Sequence, residues 1–577
     1  MKTDKLNRIL PKVSKPYRYI GGEVGERKKN WDDSKVKFCL IYPDIYELGT
    51  SHLGLSILYN IVNDEDWMLA ERAFVPGLDM ASHLKEEGIP LFSLESQKPL
   101  RDFDVIGITL PYELTFTNIL TILDLAHIPR RSIQRGDSDP VVIGGGSSVF
   151  NPEPVADFFD AIVIGDGEDV VLKIGEVVRN NKGKRDAILS GLSDITGVYV
   201  PNHFSKKQIK RAHIENLDNA KYPLSPIVPY RSTHERAIVE VARGCKRGCR
   251  FCQAGFIYRP WRERSSKDAV RLAIAQLENS GCDVLSFLSL SLSDWGGLSA
   301  ALQAVDARQS ELPFNISMPS LRVEALNDEI LKRLGKDRSS SFTLAPEAAS
   351  ELLRRMMNKG NNDEELLASV KKIFELGWHH IKLYFMLGLP GETDEEIFAI
   401  SALAKRCLSI GREYIRHPNI TVSTSTFVHK SHTPFQWAPQ ISIDETRRKQ
   451  AILKRDLRGP GLKYKWHNPE MSLLEGIFSR GGRELSKLIE RACDLGCRFD
   501  AWDEHFRFDL WRQAFEEMKI DVDDYLKECD KDFKFPWDHI FVDLKKEYLW
   551  SEWERAKESK LTPMCEIGRC KKCGICK

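Results

Sequence analysis

Three cysteines, Cys245, Cys249 and Cys252, stand close together in the run VARGCKRGCRFCQAG. Their C-x3-C-x2-C spacing follows an apolar, strand-like stretch from Ala237 to Val241. Three thiolates at this spacing can hold one iron–sulfur cube and leave its fourth iron without a protein ligand. An open iron is a place for chemistry as well as for electron storage. A zinc knuckle would want a fourth Cys or His nearby, and there is none between Ala237 and Glu263. Gly244 and Gly248 permit close backbone approach. Lys246, Arg247 and Arg250 are expected to offset thiolate charge.

A second group, Cys565-x4-Cys570-x2-Cys573-x2-Cys576, ends the sequence. Four ligands within so short a span can complete a metal site. The spacing suits a second iron–sulfur cluster; zinc is the rival, and a redox-sensitive tail is the third reading. The remaining six of the thirteen cysteines are scattered and read as buried hydrophobes.

The elements that must position these groups are legible in outline. The 577 residues are 42% hydrophobic and 29% charged, enough for several domains with sizeable cores. A net charge of +1 gives no overall electrostatic case for nucleic acid or an acidic membrane surface. No run reaches the ~18 apolar residues a membrane helix needs, and residues 1–34 read as an extension without a signal peptide. A cytoplasmic setting with reduced thiols is expected.

Residues 35–180 alternate buried-strand patterns (KFCLIYP, VIGITL, VVIGGG, AIVIGD) with helical ones. This predicts a doubly wound, Rossmann-like α/β sheet with glycine-rich turns at its strand ends. Residues 181–230 read as a connector. From 231 to 440 six further strands alternate with amphipathic helices, predicting a partial (β/α)6 barrel with its chemistry at the strand C-terminal ends. Residues 441–560 read as mainly α, and 561–577 as a metal-binding tail.

The first cysteine group resembles the signature of radical S-adenosylmethionine enzymes. The resemblance implies a 4Fe–4S cluster on Cys245, Cys249 and Cys252, with S-adenosylmethionine chelated at the open iron and cleaved by one electron. Phe251 matches the aromatic position near the adenine. In SMPSLRVEAL, Arg322 resembles a cofactor contact of the methylthiotransferase group. In TLAPEAASELLRRMMNKG, Glu347 stands where a polar contact to the ribose is made. The turn Gly388 to Gly391 resembles the one that shapes the adenine pocket. Asp294 in SLSLSD falls where the methionine amino group is bound, although no Gly-Gly-Glu is present.

The first domain resembles cobalamin-binding domains, whose sites often begin D-x-H-x-x-G. Here the frame is Asp44, Tyr46 and Gly49, with Tyr in place of the cobalt-ligating His. Either a corrinoid binds without a protein ligand, or the fold persists with none. Gly144 and Gly145 match the remaining glycine pattern, and His52 is a substitute ligand or a cap. The order of parts is similar to an uncharacterised cobalamin-binding-type radical S-adenosylmethionine family. That likeness implies an enzyme that modifies an unreactive carbon, with corrinoid-dependent methyl transfer favoured and RNA, protein or a small molecule as substrate. It also implies an electron donor of flavodoxin or ferredoxin type and a small associated partner protein. Sulfur insertion using a tail cluster, and a non-catalytic redox or corrinoid sensor, are the alternatives.

Overall fold

The computed structural model describes all residues except 1, 204–207, 319–340, 567–569, 571, 576 and 577. Arg322 and Cys576 therefore lie outside the described residues.

The first sheet is built from β1 (Val36–Tyr42), β2 (Met68–Phe74), β3 (Val105–Thr109), β4 (Val141–Gly145), β5 (Ala161–Val163) and β6 (Val198–Tyr199). Its order is β2-β1-β3-β4-β5-β6; the first five are mutually parallel and β6 is antiparallel. Parallel strands buried on both faces read as continuous apolar runs, and β1 (VKFCLIY) is buried at all positions but Lys37. The order turns about between β1 and β3. Such a switch point opens a crevice beyond the strand C-termini, where ligands of doubly wound sheets bind.

Two findings differ from the sequence reading here. Strand β2 (MLAERAF) carries Glu71 and Arg72 yet is buried throughout. Arg72 is satisfied inside the protein by Glu95, with Nε to Oε1 at 2.7 Å, and by Glu23. The sheet domain also runs past residue 180: the helix Arg185–Ser193 and β6 complete it, inside the span expected to be a connector. The rest of that span contains β7 (Ile209–Lys210), which pairs with distant β17 (Ile540–Phe541).

The central region contains β8 (Ala237–Glu240), β11 (Val284–Leu288) and β12 (Asn315–Ser317) as one parallel sheet. A second parallel sheet consists of β13 (Phe342–Glu347), β14 (His380–Leu387), β15 (Asn419–Thr426) and β16 (Leu462–Trp466). Between β8 and β11 lies a small hairpin of β9 (Ala242–Arg243) and β10 (Arg262–Glu263). The six strands expected across 231–440 are present. β16 is a seventh, inside the span expected to be mainly helical. Its sequence LKYKW alternates apolar and basic residues, but the run is short and none of its residues is buried. Elsewhere 441–560 is helical, and its helices join one large core with the first sheet domain. Among the described residues no helix is long and apolar enough to cross a membrane.

Candidate functional site

The cysteine triplet sits in the loop of the β9–β10 hairpin. Arg243 pairs with Arg262, and Cys245 follows one glycine later. That glycine is required. Gly244 has φ +91°, and a Cβ there would stand 2.6 Å from the Tyr258 carbonyl oxygen and 2.8 Å from that of Pro260. Neither backbone oxygen can move aside cheaply. A Gly244→Ala variant is expected to fold, with the loop displaced, and to retain less than half of the wild-type iron after reconstitution. Iron analysis beside a circular dichroism spectrum checks this; full iron loading would contradict it.

Within the loop the Arg247 N–H donates to Cys245 Sγ at 3.5 Å, a contact that favours thiolate. Burial pushes the Cys252 thiol up to about 12, and the neighbouring Cys249 and Cys245 push the same way. A Cys252 thiol that resists ionising by itself suits a ligand that brings positive charge, as iron does. Among the described residues no three His, Cys, Asp or Glu side chains gather as a site for a metal ion. Thiolates that each bind a different iron of a cube need not meet at one point.

The three basic residues of the loop do not act as expected. Arg247 is committed to Asp294, with Nε to Oδ2 at 2.8 Å, and Lys246 to Glu263 at 3.0 Å. Arg250 is fully buried and turns away toward the C-terminal helix Lys546–Lys557. It pairs with Glu552 at 3.1 Å and donates to the carbonyls of Met356 (2.8 Å) and Lys560 (2.7 Å). A guanidinium with no water around it needs these acceptors, so its charge fastens the loop to the C-terminal region and is not spent on the thiolates.

Two positions singled out by sequence are brought to the loop. Asp294 is gripped by Arg247 and by Ser291 Oγ at 2.7 Å. Glu347 ends β13, lies close enough to disfavour ionisation of Cys252, and is held by Lys359 Nζ at 3.0 Å. Its backbone has φ +68°, a conformation that costs a non-glycine residue about 1–3 kcal/mol and tends to persist at working sites. Phe251 packs half-buried on the main core. Gly388 has φ +81°, donates its N–H to Glu392 and packs under Ile441. Gly391 has open space where a Cβ would be. Sequence reasoning missed the buried pair that locks this turn, Glu392 with Lys449 at 3.0 Å.

A cavity of about 690 Å³ lies between the first sheet and the cysteine hairpin. Its lining includes Gly145, Gly146 and Gly167 from the sheet domain and Glu240, Ala242, Arg243, Gly244 and Leu288 from the central region. Leu40, Leu58, Val105, Ile143 and Ile174 make up an apolar slot in the same lining. Gly144 and Gly145 both line it.

Asp44, Tyr46 and Gly49 do not line this cavity. Asp44 is buried and accepts from Trp502 Nε1 at 3.0 Å. Tyr46 gives its hydroxyl proton to Glu23 and accepts from the Tyr230 N–H at 3.0 Å. A Cβ on Gly49 would strike the Phe74 ring at 2.3 Å. The three residues hold packing and buried hydrogen bonds in place.

His52 does line the cavity. Its Nδ1 accepts from the Leu55 N–H at 3.1 Å and caps the helix Leu53–Asn63. Burial pushes its pKa down to about 4, so the ring is neutral at pH 7. A neutral ring whose Nδ1 accepts a proton bond carries its own proton on Nε2. In that state Nε2 is a donor and has no lone pair for a metal.

The cysteine tail folds back on the first cysteine loop. The Cys565 N–H donates to the Lys246 carbonyl at 2.8 Å. Cys573 is buried, and its carbonyl accepts from Lys545 N–H at 3.1 Å. Arg259 lies between the two groups. Burial lowers its pKa, but Tyr548 and then Cys565 and Cys573 raise it, and its Nη2 would be 2.9 Å from a Cβ on Gly248. Cys570 is partly exposed.

Comparison with known proteins places these parts. Residues 54–201 match the model described as radical SAM proteins, N-terminal, and residues 239–404 that of the radical SAM superfamily. The chain thus carries a radical SAM core domain preceded by a radical SAM N-terminal domain. A radical SAM domain implies a 4Fe–4S cluster and S-adenosylmethionine. An uncharacterised protein of Methanocaldococcus jannaschii is 26% identical over 83% of this chain and 97% of its own length. A tRNA-2-methylthio-N(6)-dimethylallyladenosine synthase of Petrotoga mobilis is 22% identical over 33% of this chain and 45% of its own. A ribosomal protein uS12 methylthiotransferase of Sorangium cellulosum is 28% identical over 28% and 36%. Against a solved structure of the radical S-adenosylmethionine methyltransferase TsrM from Kitasatospora setae, the TM-score is 0.46 at 13% identity, covering 70% of this chain and 77% of the other. That likeness is too distant to bear on the reaction.

Proposed function

We propose that this radical SAM chain is an enzyme that reductively cleaves S-adenosylmethionine to modify an unreactive carbon, and that the cavity beside its cysteine loop receives a corrinoid for methyl transfer. The observation that carries the reading is one shared wall. Gly244, the residue before Cys245, lines the same cavity as Gly144 and Gly145 at the end of β4. A group seated at the sheet's strand ends would therefore adjoin the cysteine loop.

When bound, a 4Fe–4S cluster on Cys245, Cys249 and Cys252 would supply the electron that splits the sulfonium, and a corrinoid would supply a transferable methyl group. The chain's own residues do the rest. Glu347, fixed by Lys359, offers carboxylate oxygens as acceptors for the ribose hydroxyls of the cosubstrate. Asp294, fixed by Arg247 and Ser291, offers an acceptor for its amino group. Phe251 and the Gly388–Gly391 turn present apolar surface and an open backbone for the adenine. The apolar slot excludes water. With Tyr46 tied to Glu23 and His52 protonated on Nε2, a corrinoid here would have no side-chain ligand from either. An electron donor of flavodoxin or ferredoxin type would serve the cluster. RNA or protein is the substrate class, by similarity to the tRNA- and ribosomal-protein-modifying relatives.

Sulfur insertion is the second reading, favoured by the docking of Cys565 on Lys246. The test is anaerobic purification and reconstitution, followed by metal analysis and incubation with S-adenosylmethionine and dithionite. About four irons per chain, or about eight if the tail holds a cluster, are expected. Formation of 5′-deoxyadenosine or S-adenosylhomocysteine is expected with them. A 4Fe–4S spectrum with neither product would overturn the enzymatic reading. Products formed by a protein that binds no cobalamin would overturn the corrinoid.

A further inference from the structure

The wall of the 690 Å³ cavity is mostly apolar, and most of its polar groups are already spent. Arg243 holds Asp166 at 3.0 Å, Glu168 at 2.9 Å and Glu240 at 2.7 Å. Ser51 Oγ donates to the Glu47 carbonyl at 3.1 Å, and Ser147 Oγ to that of Pro111. These carboxylates and the Ser51 and Ser147 hydroxyls are thus committed within the protein.

Arg236 and Ser289 on the same wall are not, and His52 keeps one ring nitrogen. Arg236 lies half-buried just before β8, and its Nε is buried with no hydrogen-bond partner. Among the described residues no carboxylate pairs with it. Desolvation lowers its pKa with no opposing charge to raise it. Ser289, just past the end of β11, is only 6% exposed, and its Oγ is buried with no partner. His52 presents a protonated Nε2, because its Nδ1 is used by the Leu55 N–H.

Buried polar groups without partners are costly, and natural proteins carry few. Arg236 Nε and Ser289 Oγ are two such groups on one cavity wall shared with His52, and Arg236 can only donate there. Arg236 adds a full positive charge that no carboxylate among the described residues neutralises. A ligand that satisfies them must present acceptors and negative charge at one end. The slot lined by Leu40, Leu58, Val105, Ile143 and Ile174 asks for the opposite at the other end.

We propose that Arg236, with Ser289 and His52, forms an anion subsite in this cavity, and that the ligand is an apolar molecule bearing one phosphate-ester or carboxylate group. The inference deepens the reading of the cavity as a cofactor site, and it holds whether or not that cofactor is a corrinoid. Arg236 selects the ligand by charge; the slot selects it by shape. Guanidinium suits this task because its planar donors match the oxygens of both anions.

The test uses paired probes of similar shape and different charge. Anilinonaphthalene sulfonate is anionic; N-phenyl-1-naphthylamine is its neutral counterpart. Fluorescence titration of the full-length protein is expected to show the anionic probe binding roughly tenfold more tightly than the neutral one, the scale of one charge-assisted hydrogen bond. Arg236→Gln is expected to erase the difference while neutral-probe binding persists. Leu58→Trp, which fills the slot, is expected to remove both signals and so to locate the probes. If Arg236→Gln also loses the neutral probe, Arg236→Lys decides: a retained preference supports the subsite and a lost one overturns it. An unchanged preference in Arg236→Gln overturns the proposal outright.

Competition then separates the two anions. Displacement by 1-naphthyl phosphate in preference to 1-naphthoate, or the reverse, identifies the group; displacement by neither beyond that of 1-naphthol overturns the subsite. A preference that holds in a protein that binds no cobalamin would retire the corrinoid and leave the anion subsite standing.

Discussion

A Cys249→Ala variant is expected to abolish S-adenosylmethionine cleavage, with 5′-deoxyadenosine falling to the no-enzyme background and iron dropping by about four per chain after reconstitution. The loop offers no replacement. Cys245 and Cys252 would remain, but two thiolates hold a cube poorly, and no other Cys or His stands between Ala237 and Glu263. The fold should survive. Cys249 is partly exposed, and the loop is anchored by Arg250 through Glu552 and the carbonyls of Met356 and Lys560. Loss of product with an unchanged circular dichroism spectrum therefore reports on the metal site. A Cys573→Ser variant gives the contrast. If the tail donates sulfur, this variant keeps cosubstrate cleavage and loses final product. A sensor that signalled through its tail would instead keep its output in Cys249→Ala. Retained 5′-deoxyadenosine formation in Cys249→Ala would sink the assignment of the radical site.

The cysteine loop was legible because its chemistry is local. Spacing, glycines and the preceding strand fall within twenty residues, and the structure gives Gly244 a reason in backbone clearance and Gly248 one in its φ of +77°. Strands β1, β3 and β4 were legible because both their faces are buried, which forces continuous apolar runs. Strand β2 was not, since Glu71 and Arg72 break the run. Their burial depends on Glu95 and Glu23, and pairing across such distances leaves no mark on periodicity. The basic residues of the loop were misjudged for a related reason. Arg250 stands one residue from Cys249, yet its partner Glu552 is some 300 residues away. Charge near a thiolate in sequence says little about where the guanidinium points. Tyr46 shows the same limit from the other side. Its motif frame pointed to a cofactor, while its hydroxyl is held by Glu23 and the Tyr230 backbone, far along the chain in both directions. The cavity itself, shared by β4 and the residue before Cys245, is a meeting of two domains and could not be read from either alone.

That meeting rests on one side chain, and removing it should have the largest effect on stability. Arg243 is almost wholly enclosed and faces Asp166, Glu168 and Glu240; Arg262 also reaches Asp166 at 2.8 Å, and Tyr258 lies close by. The carboxylates raise the pKa of Arg243, and Arg243 in turn holds Asp166 below the usual carboxylate range. For Glu168 burial outweighs the cation, and its pKa stands raised. Arg243→Met keeps the length of the side chain and removes its charge. Three carboxylates then share only Arg262, and breaking a buried pair in this way costs about 3–5 kcal/mol at neutral pH. The pH dependence has a definite sign. In the wild type, Asp166 has a depressed folded pKa, so its contribution is present above the unfolded value near 3.8 and is lost only as pH falls below it. In the variant, the uncompensated carboxylates have raised folded pKa values. The folded state then binds protons more readily than the unfolded state, and its relative stability improves as pH falls. The gap between variant and wild type should therefore be widest at neutral pH and narrow as the solution is acidified toward the ordinary carboxylate range. Urea denaturation at pH 7.5 and 5.0 measures it, and a gap that is constant or wider at pH 5.0 would refute the clamp. Arg243 precedes Gly244 and Cys245, so the same variant should also load less iron. Removing one of the stranded carboxylates with Glu168→Gln in the Arg243→Met background, which leaves the Arg262–Asp166 pair in place, should recover part of the stability, because the penalty lies in unpaired charge and not in lost packing.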